Sequence, residues 1–265
     1  MGGRPTILVF DSGLGGLTVY REIAAVRPDA DFIYLADDAG FPYGAIAEPA
    51  LIARLIALFD EAVVTHKPDL VVVACNTAST IALPTLREKF AVQFVGTVPA
   101  IKPACAASRT RRVAVLGTEA TVAREYTRAL IREHGHGCEV DLVGSKQLAA
   151  YAEAELYGQP VSDAALLAEI GPCFRDGENR TDTVVLACTH YPLLTARLEQ
   201  IAPWPVTFVD PAPAIARRAA HLLEGVPAGA GKGTTYAVFT SGTVPAVILA
   251  RFGMLASRPI AAIAP

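Results

Sequence analysis

Short apolar runs alternate with amphipathic stretches along almost the whole chain. Runs near 6–11, 31–36, 69–75, 92–96, 112–117, 138–143, 183–188, 206–210 and 236–240 are continuous in Val, Ile, Leu and Phe rather than alternating with polar residues. Continuity of that kind predicts strands buried on both faces. The segments near 16–26, 48–65, 78–90, 120–133, 145–157, 162–174, 192–201, 212–224 and 244–252 space their apolar residues as helices do. Strand–helix alternation predicts an α/β fold with mainly parallel sheets and helices on both faces.

Two landmarks recur at similar separations. Ile7–Phe10 runs into Asp11-Ser12-Gly13 much as Val113–Leu116 runs into Gly117-Thr118-Glu119. Val71-Val72-Val73-Ala74-Cys75-Asn76-Thr77 is echoed by Val184-Val185-Leu186-Ala187-Cys188-Thr189-His190. The pattern predicts two α/β halves of similar design, too long a repeat for a solenoid. Boundaries are expected near Thr97-Val98-Pro99 and again near Pro203-Trp204-Pro205, and the Gly/Pro/Ala stretch 225–233 reads as a surface loop.

Bulk properties narrow the function classes. The 265 residues are 52% hydrophobic and 18% charged, with a net charge of -3, so a large core is available and no basic stripe offers a nucleic-acid surface. No apolar run approaches the ~20 residues of a membrane span. The five cysteines are scattered without a CxxC pair, and Met1–Pro5 leads straight into the first strand with no leader, so reduced thiols in a cytoplasmic setting are expected.

Cys75 and Cys188 each stand at the carboxyl end of a predicted strand, where open α/β sheets place their ligands. The polar pair after each reads as the start or cap of a helix, a setting that favours thiolate. His190 lies two residues beyond Cys188, and Asp11 ends a strand that converges on Cys75, neighbours suited to proton traffic. Asp11-Ser12-Gly13-Leu14-Gly15-Gly16 is either an anion-binding turn or a tight strand–helix connection with Asp11 as helix cap; Thr18 breaks the dinucleotide fingerprint. Phe41-Pro42-Tyr43-Gly44 is a turn. Gly231-Lys232-Gly233-Thr234 only imitates a phosphate loop, because Val226 and Gly233 occupy its required positions. Cys188 and His190 supply two metal ligands with no third at metal spacing, so no metal is expected. His66, His134, His136 and His221 read as surface or capping residues, and Cys105, Cys138 and Cys173 as small buried apolar ones.

Two thiols facing one ligand from opposite halves would let one remove a proton from a carbon while the other delivers one to the opposite face, inverting the centre. A thiol with a free pKa of ~8.5 can be tuned for that work. The carbanion needs fixed dipoles and exclusion of water, and Ser12, Asn76, Thr77, Thr118 and Thr189 supply donors at strand ends. No pyridoxal-lysine context stands out, so a cofactor-free route is expected.

Phe10–Val19, Pro42-Tyr43-Gly44, Val98–Ala104, Cys75-Asn76-Thr77-Ala78-Ser79, Leu116-Gly117-Thr118, Cys188-Thr189-His190-Tyr191-Pro192-Leu193-Leu194 and Thr240-Ser241-Gly242 resemble, in order and spacing, the motifs of the glutamate racemase family over nearly the whole chain. The resemblance implies two pseudo-symmetric α/β domains, residues 1–98 plus 210–265 and residues 99–209, with the active site in the cleft between them. It implies cofactor-free interconversion of L- and D-glutamate, supplying D-glutamate for peptidoglycan, in a homodimer open to regulation by a cell-wall precursor. By position, Cys75 takes the proton from the D-isomer and Cys188 from the L-isomer, assisted by Asp11 and His190, with Glu153 a further acidic residue. Asp11, Ser12, Pro42, Tyr43, Gly44, Asn76, Thr77, Thr118, Thr121, Thr189 and His190 match substrate-binding positions. Ala120 and Ala187 stand where the family usually has glycine, and Asp210-Pro211 where it has Asp-Ser. The rival readings are a relative acting on aspartate, hydantoin or maleate, a hydrolase using one cysteine, and a binding protein without turnover.

Overall fold

A computed structural model of the chain describes residues 4–257; Met1–Gly3, placed by the sequence ahead of the first strand, and the last eight residues lie outside the described residues. The chain divides into two compact units, Met1–Thr97 with Ala212–Pro265, and Val98–Pro211. The first unit opens with β1 (Thr6–Asp11), α1 (Leu17–Val26), β2 (Asp31–Ala36), α2 (Glu48–His66), β3 (Leu70–Val73), α3 (Asn76–Lys89) and β4 (Gln93–Gly96). The second contains α4 (Ile101–Ala107), β5 (Arg112–Thr118), α5 (Glu119–Ala123), α6 (Glu125–His134), β6 (Glu139–Ser145), α7 (Leu148–Leu156), α8 (Asp163–Ile170), β7 (Thr183–Ala187), α9 (Thr195–Ile201) and β8 (Thr207–Val209). The chain then returns to the first unit with α10 (Ala212–Leu222), β9 (Thr235–Phe239), α11 (Ala246–Phe252) and β10 (Leu255–Ala256).

The first unit's sheet has the order β10-β9-β2-β1-β3-β4 and the second unit's β6-β5-β7-β8. All the pairings among the described strands are parallel. The run β2-β1-β3-β4 thus has the same order as β6-β5-β7-β8, and β3, which leads to Cys75, holds the place that β7, which leads to Cys188, holds in the other sheet. Continuous apolar strands are what a sheet covered by helices on both faces requires. In the second unit, Val113 and Val115 of β5 face the cluster around α4, while Ala114 and Leu116 face the one containing Leu148, Leu166 and Cys188. In the first, α2 buries Leu51, Leu55, Leu58, Phe59 and Ala62 at helical spacing. Phe59 meets Phe10 at 5.0 Å and Phe94 at 5.6 Å between ring centroids. Burying a side chain of that size contributes about 1.5–3 kcal/mol.

Several elements depart from the expected boundaries. The helix expected over 120–133 breaks at Arg124, which is extended (φ −72°, ψ 138°). There the Thr127 hydroxyl donates to the Thr121 carbonyl at 2.7 Å, and that side chain replaces a helical amide donor. The helix expected from 145 starts at Leu148, because β6 stays paired with β5 through Ser145. The helix expected over 162–174 stops at Ile170 and gives way to a 3₁₀ turn at Gly171–Cys173 that contains Pro172. Helix α4 was hidden by Pro99 and Pro103; Pro103 falls in its first turn, where a missing N–H leaves no helical bond unmade. Two-residue β10 gives too short a pattern to read.

Stretch 225–233 carries no helix or strand, yet its end is tightly held. The Gly233 amide donates to the Pro28 carbonyl at 2.8 Å and the Thr234 amide to Asp31 Oδ1 at 2.8 Å, so these amides hold the chain rather than a phosphate. A Cβ on Gly233 would stand 1.8 Å from the Ala30 carbonyl oxygen. Because that neighbour is backbone, Gly233→Ala is expected to destabilise the protein by about 2–3 kcal/mol. Urea unfolding followed by circular dichroism measures it, and an unchanged midpoint would show that this segment can move aside.

Candidate active site

In the first unit the site grows from the carboxyl ends of β1, β2 and β3. Cys75 caps α3, and its Sγ accepts the Ala78 amide at 3.5 Å. That donor and the N-terminus of a 14-residue helix favour negative charge on the sulfur. Ser12 Oγ lies 3.5 Å from the same sulfur. Asp11 is fully buried, and its Oδ2 accepts the Gly13 amide at 3.1 Å. It therefore braces its own loop and is not the cap of α1, whose N-cap is Gly16 with no side-chain bond. A Cβ on Gly16 would come within 2.6 Å of Asp11 Cβ and 3.1 Å of Ala74 Cβ, so only glycine lets α1 approach this closely.

Asn76 and Thr77 are the first residues of α3 and are buried. Both polar atoms of the Asn76 amide, Nδ2 and Oδ1, are buried without a hydrogen-bond partner. Tyr43 is also buried, between the exposed Pro42 and Gly44. Its hydroxyl donates to Asp37 Oδ2 at 2.5 Å. Burial above all, then the negative charges of Asp37 and of an ionised Cys75, push the Tyr43 phenol well above its usual range, so it stays protonated.

Asp37 is the residue that sequence reading missed. It is fully buried just past β2, one residue beyond Ala36, which pairs with Asp11 at the end of β1, and no local pattern marks it. Arg54 reaches it with Nε and Nη2, each at 2.6 Å, and Thr240 Oγ1 donates at 2.7 Å. The Asp37 amide donates to the Asp11 carbonyl at 2.8 Å. The Asp37 carboxylate thus ties the Tyr43 turn, α2 and the residue after β9 together through charge-assisted bonds, while its backbone amide holds the end of β1.

In the second unit Cys188 follows β7, and the segment after it is not the α-helix start that the sequence suggested. His190 caps a 3₁₀ turn, Tyr191–Leu194, and α9 begins only at Thr195. The tight turn brings His190 Nδ1 to 3.8 Å from Cys188 Sγ, while His190 Nε2 lies 2.9 Å from Glu153 Oε1, on α7. A carboxylate only accepts, so Nε2 carries a proton, and in the tautomer protonated there alone Nδ1 is the atom that accepts from the thiol. Sulfur, imidazole and carboxylate form a chain in which the last member fixes the tautomer of the second. Thr189 is buried next to this chain. Thr118 caps α5 by accepting the Thr121 amide at 3.1 Å, and the two hydroxyls are 2.9 Å apart, so Thr121 is held in the cap.

The remaining candidates separate cleanly. His134 and His221 sit beside Glu133 and Glu224, and burial lowers His66. Cys173 is buried in the core, and desolvation pushes its thiol up to about 12. Cys138, expected to be buried, is only partly so, because the turn before β6 leaves it at the surface. Among the described residues no three His, Cys, Asp or Glu side chains are arranged to hold a metal ion, and no helix is long and apolar enough to cross a membrane.

Residues 12–219 match the model of the Asp/Glu/hydantoin racemase family. The chain is 53% identical over 240 residues to a glutamate racemase of Agrobacterium fabrum, covering 89% of this chain and 88% of that one. It is 55% identical over 223 residues to a glutamate racemase of Brucella canis, covering 83% and 80%. Its fold superposes on the crystal structure of Escherichia coli glutamate racemase, in complex with L-glutamate and the activator UDP-MurNAc-ala, with a TM-score of 0.88 at 40% identity, covering 98% of this chain and 100% of that one.

Proposed function

The chain belongs to the Asp/Glu/hydantoin racemase family, and from that premise we propose that it interconverts L- and D-glutamate without a cofactor, with Cys75 and Cys188 as the two acid/base groups on opposite faces of Cα. One thiolate removes the Cα proton and the other thiol returns one from the far side. Cys75 serves the D-isomer and Cys188 the L-isomer. The observation that carries this reading is the Cys188–His190–Glu153 chain at a strand end whose counterpart in the other sheet leads to Cys75. His190 Nδ1 takes the Cys188 proton before abstraction; afterwards Cys188 carries the proton from Cα, and the imidazolium proton is returned through solvent to the Cys75 thiolate that reprotonation leaves, while Glu153 holds the ring through Nε2. On the Cys75 side, Ser12 and the Ala78 amide stabilise the thiolate, and buried Asp11 assists.

The developing carbanion has no aqueous stabilisation, so fixed donors must supply it. Ser12, Asn76, Thr77, Thr118, Thr121 and Thr189 are the side chains proposed to bind substrate, with Pro42, Tyr43 and Gly44 contributing through a turn that Asp37 holds. Glutamate is favoured over aspartate or hydantoin by the identity to enzymes named for glutamate. On the same ground we place the enzyme in the cytoplasm as a homodimer, supplying D-glutamate for peptidoglycan. A cell-wall precursor related to the activator bound by the E. coli protein is the proposed regulator.

Incubation with each pure enantiomer in D₂O tests the reading. Glutamate is expected to lose optical activity and gain deuterium at Cα, while aspartate does neither. Racemisation of aspartate at an equal rate would move the assignment to another branch, and absence of exchange into either amino acid would overturn it.

A further inference from the structure

Two thiols lie apart from the site described above. We propose that Cys105 and Cys138 form an oxidisable pair, which a peroxide converts into a disulfide tying α4 to the start of β6. Cys105 is buried on α4, against Val113, Val115 and Val185. Cys138 precedes β6 and lines a surface pocket of about 330 Å³ together with Arg111, Arg112, Glu139 and Asn179. The Cys138 thiol donates to the Cys105 carbonyl at 3.6 Å, and Arg111 Nη1 donates to the same oxygen at 3.3 Å. Burial first, and the neighbouring Cys138 thiol second, push the Cys105 thiol up to about 12.

These groups gather at the amino ends of β5, β6 and β7, whereas Cys188 follows the carboxyl end of β7. In a parallel sheet the length of β7, at about 3.3 Å per residue, puts roughly 16 Å between the two ends. Cys75 belongs to the other unit. The pair is therefore chemically separate from the racemising thiols.

Cys138 reacts first, because it is the accessible sulfur of the two and lines the pocket. Its sulfur attacks one peroxide oxygen; the O–O bond breaks, an S–O bond forms, and one water leaves. The Cys105 sulfur then attacks the Cys138 sulfur; the S–S bond forms, the S–O bond breaks, and the hydroxide leaves as water with the Cys105 proton. Two thiols and one peroxide give one disulfide and two waters, the thiols losing the two electrons that the peroxide gains. Because burial keeps Cys105 protonated, the second step is the slow one, so a sulfenic acid accumulates on Cys138 at neutral pH.

Treatment of the full-length protein with stoichiometric hydrogen peroxide, blocking of the remaining thiols with N-ethylmaleimide, and digestion without reductant test this. The expected product is a peptide pair joined through Cys105 and Cys138, about 2 Da lighter than the two thiol peptides and separated again by dithiothreitol. In Cys105→Ser the link is expected to vanish while Cys138 still reacts with a sulfenic-acid trap, and in Cys138→Ser both signals are expected to vanish. Recovery of Cys105 and Cys138 as maleimide adducts while Cys75 or Cys188 is oxidised would overturn the proposal, as would irreversible oxidation of Cys138 with no link. The wild-type map decides the question even where a serine variant fails to fold.

Discussion

Replacing either Cys75 or Cys188 with serine is expected to lower kcat/KM for glutamate racemisation by about 10³-fold or more, and by the same factor in both directions. The size follows from what a positioned acid/base group contributes, about 10²–10⁴-fold, and from the chemistry of the replacement. A thiol ionises near ~8.5 when unperturbed, whereas an alkyl hydroxyl is a far weaker acid and leaves almost no anion at working pH. The symmetry follows from the substrates. Enantiomers have equal free energy in an achiral solvent, so their equilibrium constant is unity, and kcat/KM must fall equally for both whichever thiol is lost. The individual kcat and KM values are free to differ, because each variant loses a different face of the carbon. The double variant is expected to be little worse than either single one, since the thiols act as one unit. Circular dichroism of the reacting solution gives both directions. A hydrolase working through a single cysteine predicts that one of the two variants keeps most of its turnover, and that result would end the two-thiol reading.

The parts of this arrangement visible in the sequence are those that local pattern controls. Continuous valine and leucine runs fix β1, β3, β5 and β7 because a strand covered on both faces has no polar side to show. Once those strands are placed, Asp11, Cys75, Thr118 and Cys188 must fall at their carboxyl ends. What the sequence hides is settled by partners far along the chain. Cys75 and Cys188 look alike in their flanking residues, yet one caps an α-helix and the other enters a 3₁₀ turn. That turn brings His190 back onto the sulfur, and the selecting contact, Glu153, comes from α7. Asp37 shows no pattern of its own; its meaning comes from Tyr43, Arg54 and Thr240, which only the tertiary fold assembles. Arg124 breaks a helix with neither glycine nor proline nearby, because a threonine hydroxyl replaces the expected donor.

Asn76→Ala is expected to separate stability from binding. A buried amide with no partner costs about 1–3 kcal/mol for each unsatisfied group, and Asn76 holds two such atoms, Nδ2 and Oδ1. Removing them takes that cost away and leaves a void of a few atoms whose own cost is of similar size. Without ligand, the variant should therefore unfold within about 1 kcal/mol of the parent. With glutamate the balance reverses. The α-carboxylate accepts and the ammonium donates, so an amide next to Cys75 can serve both charged groups, and hydrogen bonds to charged groups contribute about 1.5–3 kcal/mol. Losing one such bond corresponds to a rise in KM of roughly 10–100-fold. The upward shift in melting temperature that saturating glutamate gives the parent should shrink accordingly, since ligand stabilisation follows affinity. Urea unfolding without ligand, thermal unfolding with it, and steady-state kinetics give the three readouts. A variant that unfolds far more easily while keeping its KM would show that Asn76 holds α3 in place and does not meet the substrate.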